Sequence, residues 1–231
     1  FLRYAKPLVV IALLVGWLNI AFILAMLEGQ IVRVILLFFL SPVWATLLAW
    51  LVLKEELHSY SWEIILLAMT GALIMLWSPE LGVPLPRERA DWLALSAGVC
   101  FAAANMMIRK TQQAPIMVKT ITGLVGVVLV SAILIVITQT PAGQLTLLNV
   151  TWSLLYGIVG MSLMTLSVVY GVTHMPLHRS SVILLFEIVV GAVSAVWLAN
   201  EKILPQEWWG GSLVVLAAYF SARLQIRSRT S

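Results

Sequence analysis

Charge is scarce in this sequence: only 10% of its 231 residues are Asp, Glu, Lys or Arg, where a soluble domain typically carries about 25%. A chain with 61% hydrophobic residues and a mean hydropathy of +1.02 could not hide its apolar surface from water, so a soluble fold is excluded. Cysteine is scarcer still. Cys100 is alone inside an apolar run, which excludes a disulfide framework or a Cys-based metal site within the chain, and it reads as a small buried side chain. Of the 3 histidines, His174 and His178 are four apart near a helix end. Met175-Pro176 breaks the helix between them and no third ligand stands nearby, so no metal site is expected. There is no nucleophile elbow, phosphate loop or zinc signature, so neither a catalytic residue nor a cofactor is expected. The net charge of +4 comes from cations scattered at the ends of apolar runs, not gathered in a basic patch, which argues against a nucleic-acid partner.

What fills the sequence is a series of apolar stretches of about 20 residues, each long enough to cross a hydrocarbon layer roughly 30 Å thick. Bounded by Pro, Gly and charge, they predict helices at 7–27, 31–53, 61–78, 91–109, 117–139, 151–174, 179–199 and 207–226. The fold class is therefore all-α, a polytopic membrane bundle with eight transmembrane helices. The Pro-rich, charged segment SPELGVPLPRERA (78–90) is the longest break, flanked by Trp77 and Trp92 as interfacial anchors. It divides the chain into three helices (1–78), a linker (79–90), five helices (91–226) and a short tail (227–231).

Eight crossings leave both ends on one side of the membrane. That side collects Arg3, Lys6, Lys54, Arg109, Lys110, Lys119, Arg179, Arg223, Arg227 and Arg229, against Arg33, Arg87, Arg89 and Lys202 on the other. By the positive-inside rule both ends are expected in the cytoplasm, and the chain in a bacterial inner membrane. An internal repeat shows at an offset of 146, which maps Arg33 to Arg179, Glu55 to Glu201 and Trp62 to Trp208. Because an odd number of helices follows the linker, the two copies should be inverted, the arrangement on which many secondary transporters are built. A second copy starting near Asp91 also implies that the first would start about two helices before Phe1, which suggests an N-terminal truncation of a ten-helix (5+5) protein. A signal peptide fits poorly, since Leu-Glu-Gly-Gln stands where the cleavage site would fall.

At FLSPVWATLLAWLVLKEEL (39–57), with Pro42, Trp50 and Glu55, the sequence resembles the drug/metabolite transporter superfamily, specifically the ten-helix EamA-type exporters. In that family the fourth and ninth helices carry an apolar run, a Pro, a Trp-containing stretch and a Gly-Glu-Arg-like helix end. The second copy, LFEIVVGAVSAVWLANEKI (185–203), keeps Glu187 and Glu201 but has Ile188 in place of the usual Pro, and Lys54 is a further departure in the first. The resemblance implies a carrier of metabolites, amino acids or similar solutes, often outward and usually coupled to an ion gradient. The partners expected are a small-molecule substrate, the lipid bilayer, protons as coupling ion and a second copy of the chain as a homodimer.

An acid inside a bilayer costs about 2.5–3.5 kcal/mol on insertion scales and is a functional candidate by default. Glu187 is the acid deepest in an apolar run, and Ser180, Glu187, Gly191 and Ser194 fall on one helical face. That face should look at a cavity or a neighbouring helix, with Glu187 holding a proton or a cationic group of the substrate, or else serving as a hydrogen-bonded structural acid. The matched residue in the first copy is Ser41, so one wall of the site would be acidic and the other neutral, a pattern suited to a polar or zwitterionic substrate. Asn19 and Asn105 are polar residues well inside helices, as substrate contacts or packing groups. Trp17, Trp44 and Tyr170 are candidates to stack on a ligand or to pack. Asn105 shares a small-residue stripe with Ala94, Gly98, Ala102 and Arg109, and Arg109 with Lys119 reads as a gate or as topology charges. The site expected therefore comprises Glu187, Ser41, Asn19, Asn105, Trp17, Trp44, Tyr170 and Ser194. The rival readings are a membrane scaffold or receptor subunit and, less favoured for want of convergent acid, base or metal groups, a membrane-embedded enzyme.

Overall fold

The computed structural model describes residues 5–29, 31–54, 59–77, 86–139, 146–184, 187, 190 and 205–227. These form α1 (Ala5–Glu28), α2 (Ile31–Phe38), α3 (Ser41–Leu51), α4 (Ser59–Leu76), α5 (Arg89–Lys110), α6 (Ile116–Thr138) and α7 (Leu147–Leu155). A π-helical turn (Tyr156–Met161) follows, then α8 (Ser162–His174), α9 (Leu177–Leu184) and α10 (Pro205–Arg227). There is no strand among the described residues. Five segments are long and apolar enough to cross a membrane: α1, α2 with α3 (Arg33–Leu51), α5, α6, and α7 through α8 (Leu147–His174). Shorter apolar stretches lie in α4 (Trp62–Ile74) and α10 (Trp208–Ala217). The chain is thus a polytopic helical membrane bundle. Its large apolar side chains point outward, from Val136 and Ile137 on α6 to Leu147, 85% exposed, on α7. Such a surface suits hydrocarbon and not water.

Two predicted helices are interrupted. The span expected at 31–53 turns at Phe39 and Leu40, because Pro42 has no N–H to give the carbonyl of Phe38 and opens a new helix instead. The span expected at 151–174 starts earlier, where Thr146 Oγ1 accepts from Asn149 N at 3.3 Å. It then widens by one π turn containing Gly157 and Gly160. Of the helix expected at 179–199, the part beyond Val190 lies outside the described residues, as do Glu55 and Glu201.

Three packed clusters hold the bundle. Ile11, Ala45, Ala49, Ala102, Ile108, Val169, Val172 and Leu177 join α1, α3, α5, α8 and α9. Ala25, Val34, Leu37 and Ala94 join α1, α2 and α5. The third cluster sets Ile64, Ile65, Ala68, Met69 and Ala72 of α4 against Val182 of α9 and Val214 and Ala217 of α10. Without a hydrophobic force between helices in lipid, small residues bring backbones close. A Cβ on Gly16 would lie 2.6 Å from the Gly126 oxygen across the α1–α6 contact, and one on Gly71 would lie 2.7 Å from the Gly210 oxygen across α4–α10.

The direction of packing is the decisive feature. Gln206 Nε2, at the start of α10, donates to the carbonyl of Trp77 just past the end of α4 at 2.9 Å. Gly71, one to two turns before the end of α4, meets Gly210 and Leu213 inside α10. These repeat-matched helices therefore run antiparallel. The second matched pair behaves the same way: the start of α2 lies at the start of α5 (Val34 with Ala94), whereas the start of α9 lies at the end of α5 (Leu177 with Ile108). Arg33 and Arg179 thus stand at opposite ends of the bundle, as the inversion requires.

Candidate functional site

The broken span α2–α3 brings polar groups inside. Ser41 and Pro42 are buried at the start of α3, where Thr46 Oγ1 donates to the Pro42 carbonyl at 2.8 Å. The Phe38 carbonyl, deprived of a donor by Pro42, faces Gly98 of α5, whose Cβ would come within 2.8 Å of that oxygen if it had one. Gly98 thereby lets α5 press against the break, which aligns its stripe of Ala94, Gly98, Ala102 and Asn105 with α2 and α3. Asn105 is 3% exposed. Its Nδ2 has no hydrogen-bond partner, and neither has Nε1 of Trp44, the half-buried indole on the facing helix α3.

At one end of the same stripe stands a cationic cluster. Arg109 Nη1 donates to the Thr173 carbonyl of α8 at 2.9 Å and to Gln112 Oε1 at 3.1 Å. Lys119, from the first turn of α6, is 0% exposed and donates to Thr173 Oγ1 at 2.7 Å and to the Ile108 carbonyl at 3.5 Å. Both cations thus meet carbonyls at helix C-termini, where the macrodipole favours positive charge. Among the described residues, Lys119 meets a hydroxyl and a carbonyl, not a carboxylate.

The opposite end is tied by an ion pair. Arg33 Nε on α2 donates to both oxygens of Asp91 on α5, at 2.8 and 2.9 Å. Asp91 also accepts from the backbone N–H of Arg87 at 2.8 Å and of Glu88 at 3.3 Å, which anchors the first turn of α5. Both side chains are shielded, with 12% and 3% of their surface accessible.

The remaining site candidates are dispersed. Asn19 is half-buried and spends its Nδ2 on the Val15 carbonyl one turn back, at 2.9 Å. Trp17 is exposed, with Nε1 donating to Ser96 Oγ at 3.3 Å. Tyr170 is exposed and its ring lies 4.3 Å from that of His174, so both aromatics are turned away from a closed pocket. The face expected to unite Ser180, Glu187, Gly191 and Ser194 is split in its described part. Ser180 is buried and donates to the Leu177 carbonyl, whereas Glu187 is exposed; Gly191 and Ser194, like the side chain of His178, lie outside the described residues. Of the eight candidates, the structure brings Ser41, Trp44 and Asn105 onto two helices packed together.

Sequence reasoning passes over two participants, Asp91 and Thr173, and leaves the burial of a third, Lys119, unseen. Asp91 marked only a helix start, although Arg33 and Asp91 were already placed at the same end. Lys119 reads in sequence as a gate with Arg109 or as a topology charge, and its burial could not be foreseen from a position in the first turn of an apolar helix. Thr173 gave no signal at all, because a threonine in a membrane helix ordinarily bonds its own backbone, as Thr173 also does with the Val169 carbonyl.

No relative among curated proteins matches the chain. Fourteen chains of solved structures do. One of them, titled only as the crystal structure of a protein, superposes with a TM-score of 0.74 at 18% identity, over 96% of this chain and 76% of its own. At that identity the likeness speaks for the fold alone. The pattern of the EamA-like transporter family matches residues 3–77 and 88–223, most of the chain. The chain belongs to the EamA-like transporter family.

Proposed function

We propose that this protein is a secondary carrier that exports small metabolites or amino-acid-like solutes by alternating access, in a bacterial inner membrane with both ends of the chain in the cytoplasm. One observation supports this reading above the others: repeat-matched helices run antiparallel, and the contact of α3 with α5 buries polar side-chain atoms that have no hydrogen-bond partner. Inverted repeats give a carrier two nearly equivalent states, related by exchanging the roles of the halves, with the solute held between them. The seam lies where α2–α3 and α5 meet, and its two ends carry different locks. Arg33 and Asp91 close one end, and Lys119 and Arg109 on Thr173 close the other. Exposure to one side requires one lock to open while the other holds.

Glu187 is the proposed proton site. It is an exposed acid a few residues beyond Val182 of the core, outside the packed interior, and an acid in a membrane helix is a functional candidate by default. Purified protein reconstituted in vesicles, preloaded with a metabolite panel and driven by an imposed pH gradient, tests the reading. Glu187→Gln should abolish the response to the gradient while leaving solute counterflow in place. Unchanged gradient-driven flux would remove the proton role, and absence of counterflow for the entire panel in the wild type would remove the carrier.

A further inference from the structure

The seam carries a bias in hydrogen-bonding sense that the transport reading does not use. Asn105 is nearly fully buried on the stripe of Gly98 and Ala102, and its Nδ2 donates to nothing. Trp44, on the packed neighbouring helix α3 and against the cluster that holds Ala102 and Ile108, has an equally unpartnered Nε1–H. A buried donor without an acceptor forfeits about 1–3 kcal/mol, so such atoms are rare and call for an occupant. Two of them on one pair of packed helices is more than a packing accident supplies.

The occupant must bring acceptors. One helical turn beyond Asn105 on the same stripe stands Arg109, and the buried ammonium of Lys119 lies at the same end of α5, on the Ile108 carbonyl. The acid on α5, Asp91, is fourteen residues away, about 21 Å along the axis at 1.5 Å per residue, and is engaged by Arg33. Of the neighbouring hydroxyls, Thr46 Oγ1 donates to the Pro42 carbonyl, and Thr173 Oγ1 accepts from Lys119 Nζ while donating to the Val169 carbonyl. The buried side-chain atoms left without partners among the described residues, Trp44 Nε1 and Asn105 Nδ2, are both donors, and the charges described at that end of α5 are positive, so the group that satisfies them is an acceptor and not a cation. A carboxylate offers four lone-pair sites, accepts from both an amide N–H and an indole N–H, and gains from the nearby cations in a medium of low dielectric.

We infer that the Trp44 and Asn105 donors, between α3 and α5, form a subsite for the carboxylate of the transported solute, with Arg109 and Lys119 supplying the favourable potential. This rests on the carrier reading and narrows it to carboxylate-bearing substrates.

The test separates binding from flux. Wild-type protein in nanodiscs is titrated with the L-amino acids and simple monocarboxylates, and with their decarboxylated amines and methyl esters, while thermal unfolding is followed. At least one free carboxylate should raise the unfolding temperature saturably, with its ester and amine losing tenfold or more in affinity. Trp44→Phe removes the N–H and keeps most of the ring volume, and Asn105→Asp keeps the shape while reversing the hydrogen-bonding sense. Each should weaken that carboxylate tenfold or more while the variant elutes and unfolds as a monodisperse, cooperative protein. Should Asn105→Asp fail to fold, Trp44→Phe decides alone. Equal affinity for esters or amines, unaltered affinity in the variants, or no binding by any carboxylate overturns the subsite. Carboxylate binding without counterflow in vesicles supports the subsite and overturns the carrier.

Discussion

Replacing Gly126 by alanine is a one-carbon perturbation with a large expected effect. The added Cβ would collide with the carbonyl oxygen of Ala12 on α1, and would sit 2.6 Å from the Ala12 carbonyl carbon and 2.7 Å from its Cα. All three are backbone atoms, so no rotamer change relieves the contact. Carbon pairs settle near 3.5–4.0 Å, so α1 must retreat from α6 by about 1 Å, and such a gap forfeits a quarter to a half of each contact along the seam. Overpacking of this kind costs about 1–3 kcal/mol, and a backbone obstacle places it near the upper end. Alanine gains about 1 kcal/mol over glycine in helix propensity. The difference leaves Gly126→Ala destabilised by about 2 kcal/mol, close to a thirtyfold fall in the folded-to-unfolded ratio. Gly157, with nothing within 4 Å of its notional Cβ, is the matched control and should be neutral or gain up to about 1 kcal/mol as alanine. Reversible unfolding in mixed micelles against SDS mole fraction, read by circular dichroism, measures both. If the two variants shift stability in the same direction by similar amounts, close approach at Gly126 does not hold α1 to α6.

The Arg33–Asp91 pair should behave as a buried ion pair: Arg33→Met or Asp91→Asn alone destabilises by about 3 kcal/mol, and the double variant by much less than the sum, as a double-mutant cycle in the same micelles would read. Additive losses would mean the two groups do not interact. Lys54 has φ 53°, the left-handed conformation that glycine adopts without a Cβ penalty. Lys54→Gly, which restores the small residue usual at this helix end in the family, should therefore raise stability by about 1 kcal/mol in the same assay, and a loss of stability would show that the lysine side chain matters more than its backbone.

The membrane class, the helical composition and the inversion were legible in the sequence because each is written in a local or periodic signal. Apolar runs near 20 residues leave few alternatives to helices in lipid, and the recurrence of Arg, Glu and Trp at one offset, with an odd number of helices after the linker, was enough to predict two copies facing opposite ways. Pro42 likewise announced a break, since a missing N–H acts on its own helix whatever surrounds it. The site was legible only in part. Asn105 and Trp44 stood out as residue types, yet nothing local says that their N–H groups would be left without acceptors, because that depends on what α3 presents to α5. Asn19 looked equivalent to Asn105 and is not: it bonds its own helix at Val15. Trp17 and Tyr170 looked like ligand-stacking rings and are exposed.

Composition and spacing, then, determined that the chain lives in a bilayer as helices and that its halves oppose each other, because insertion energy and repeat register are properties of the chain alone. Tertiary structure decided which polar groups meet. Asp91 found Arg33 fifty-eight residues away, and Lys119 found Thr173 fifty-four away. A hydrogen bond depends on angstroms between helices, and those distances were set by where glycines such as Gly16, Gly98 and Gly126 let backbones touch.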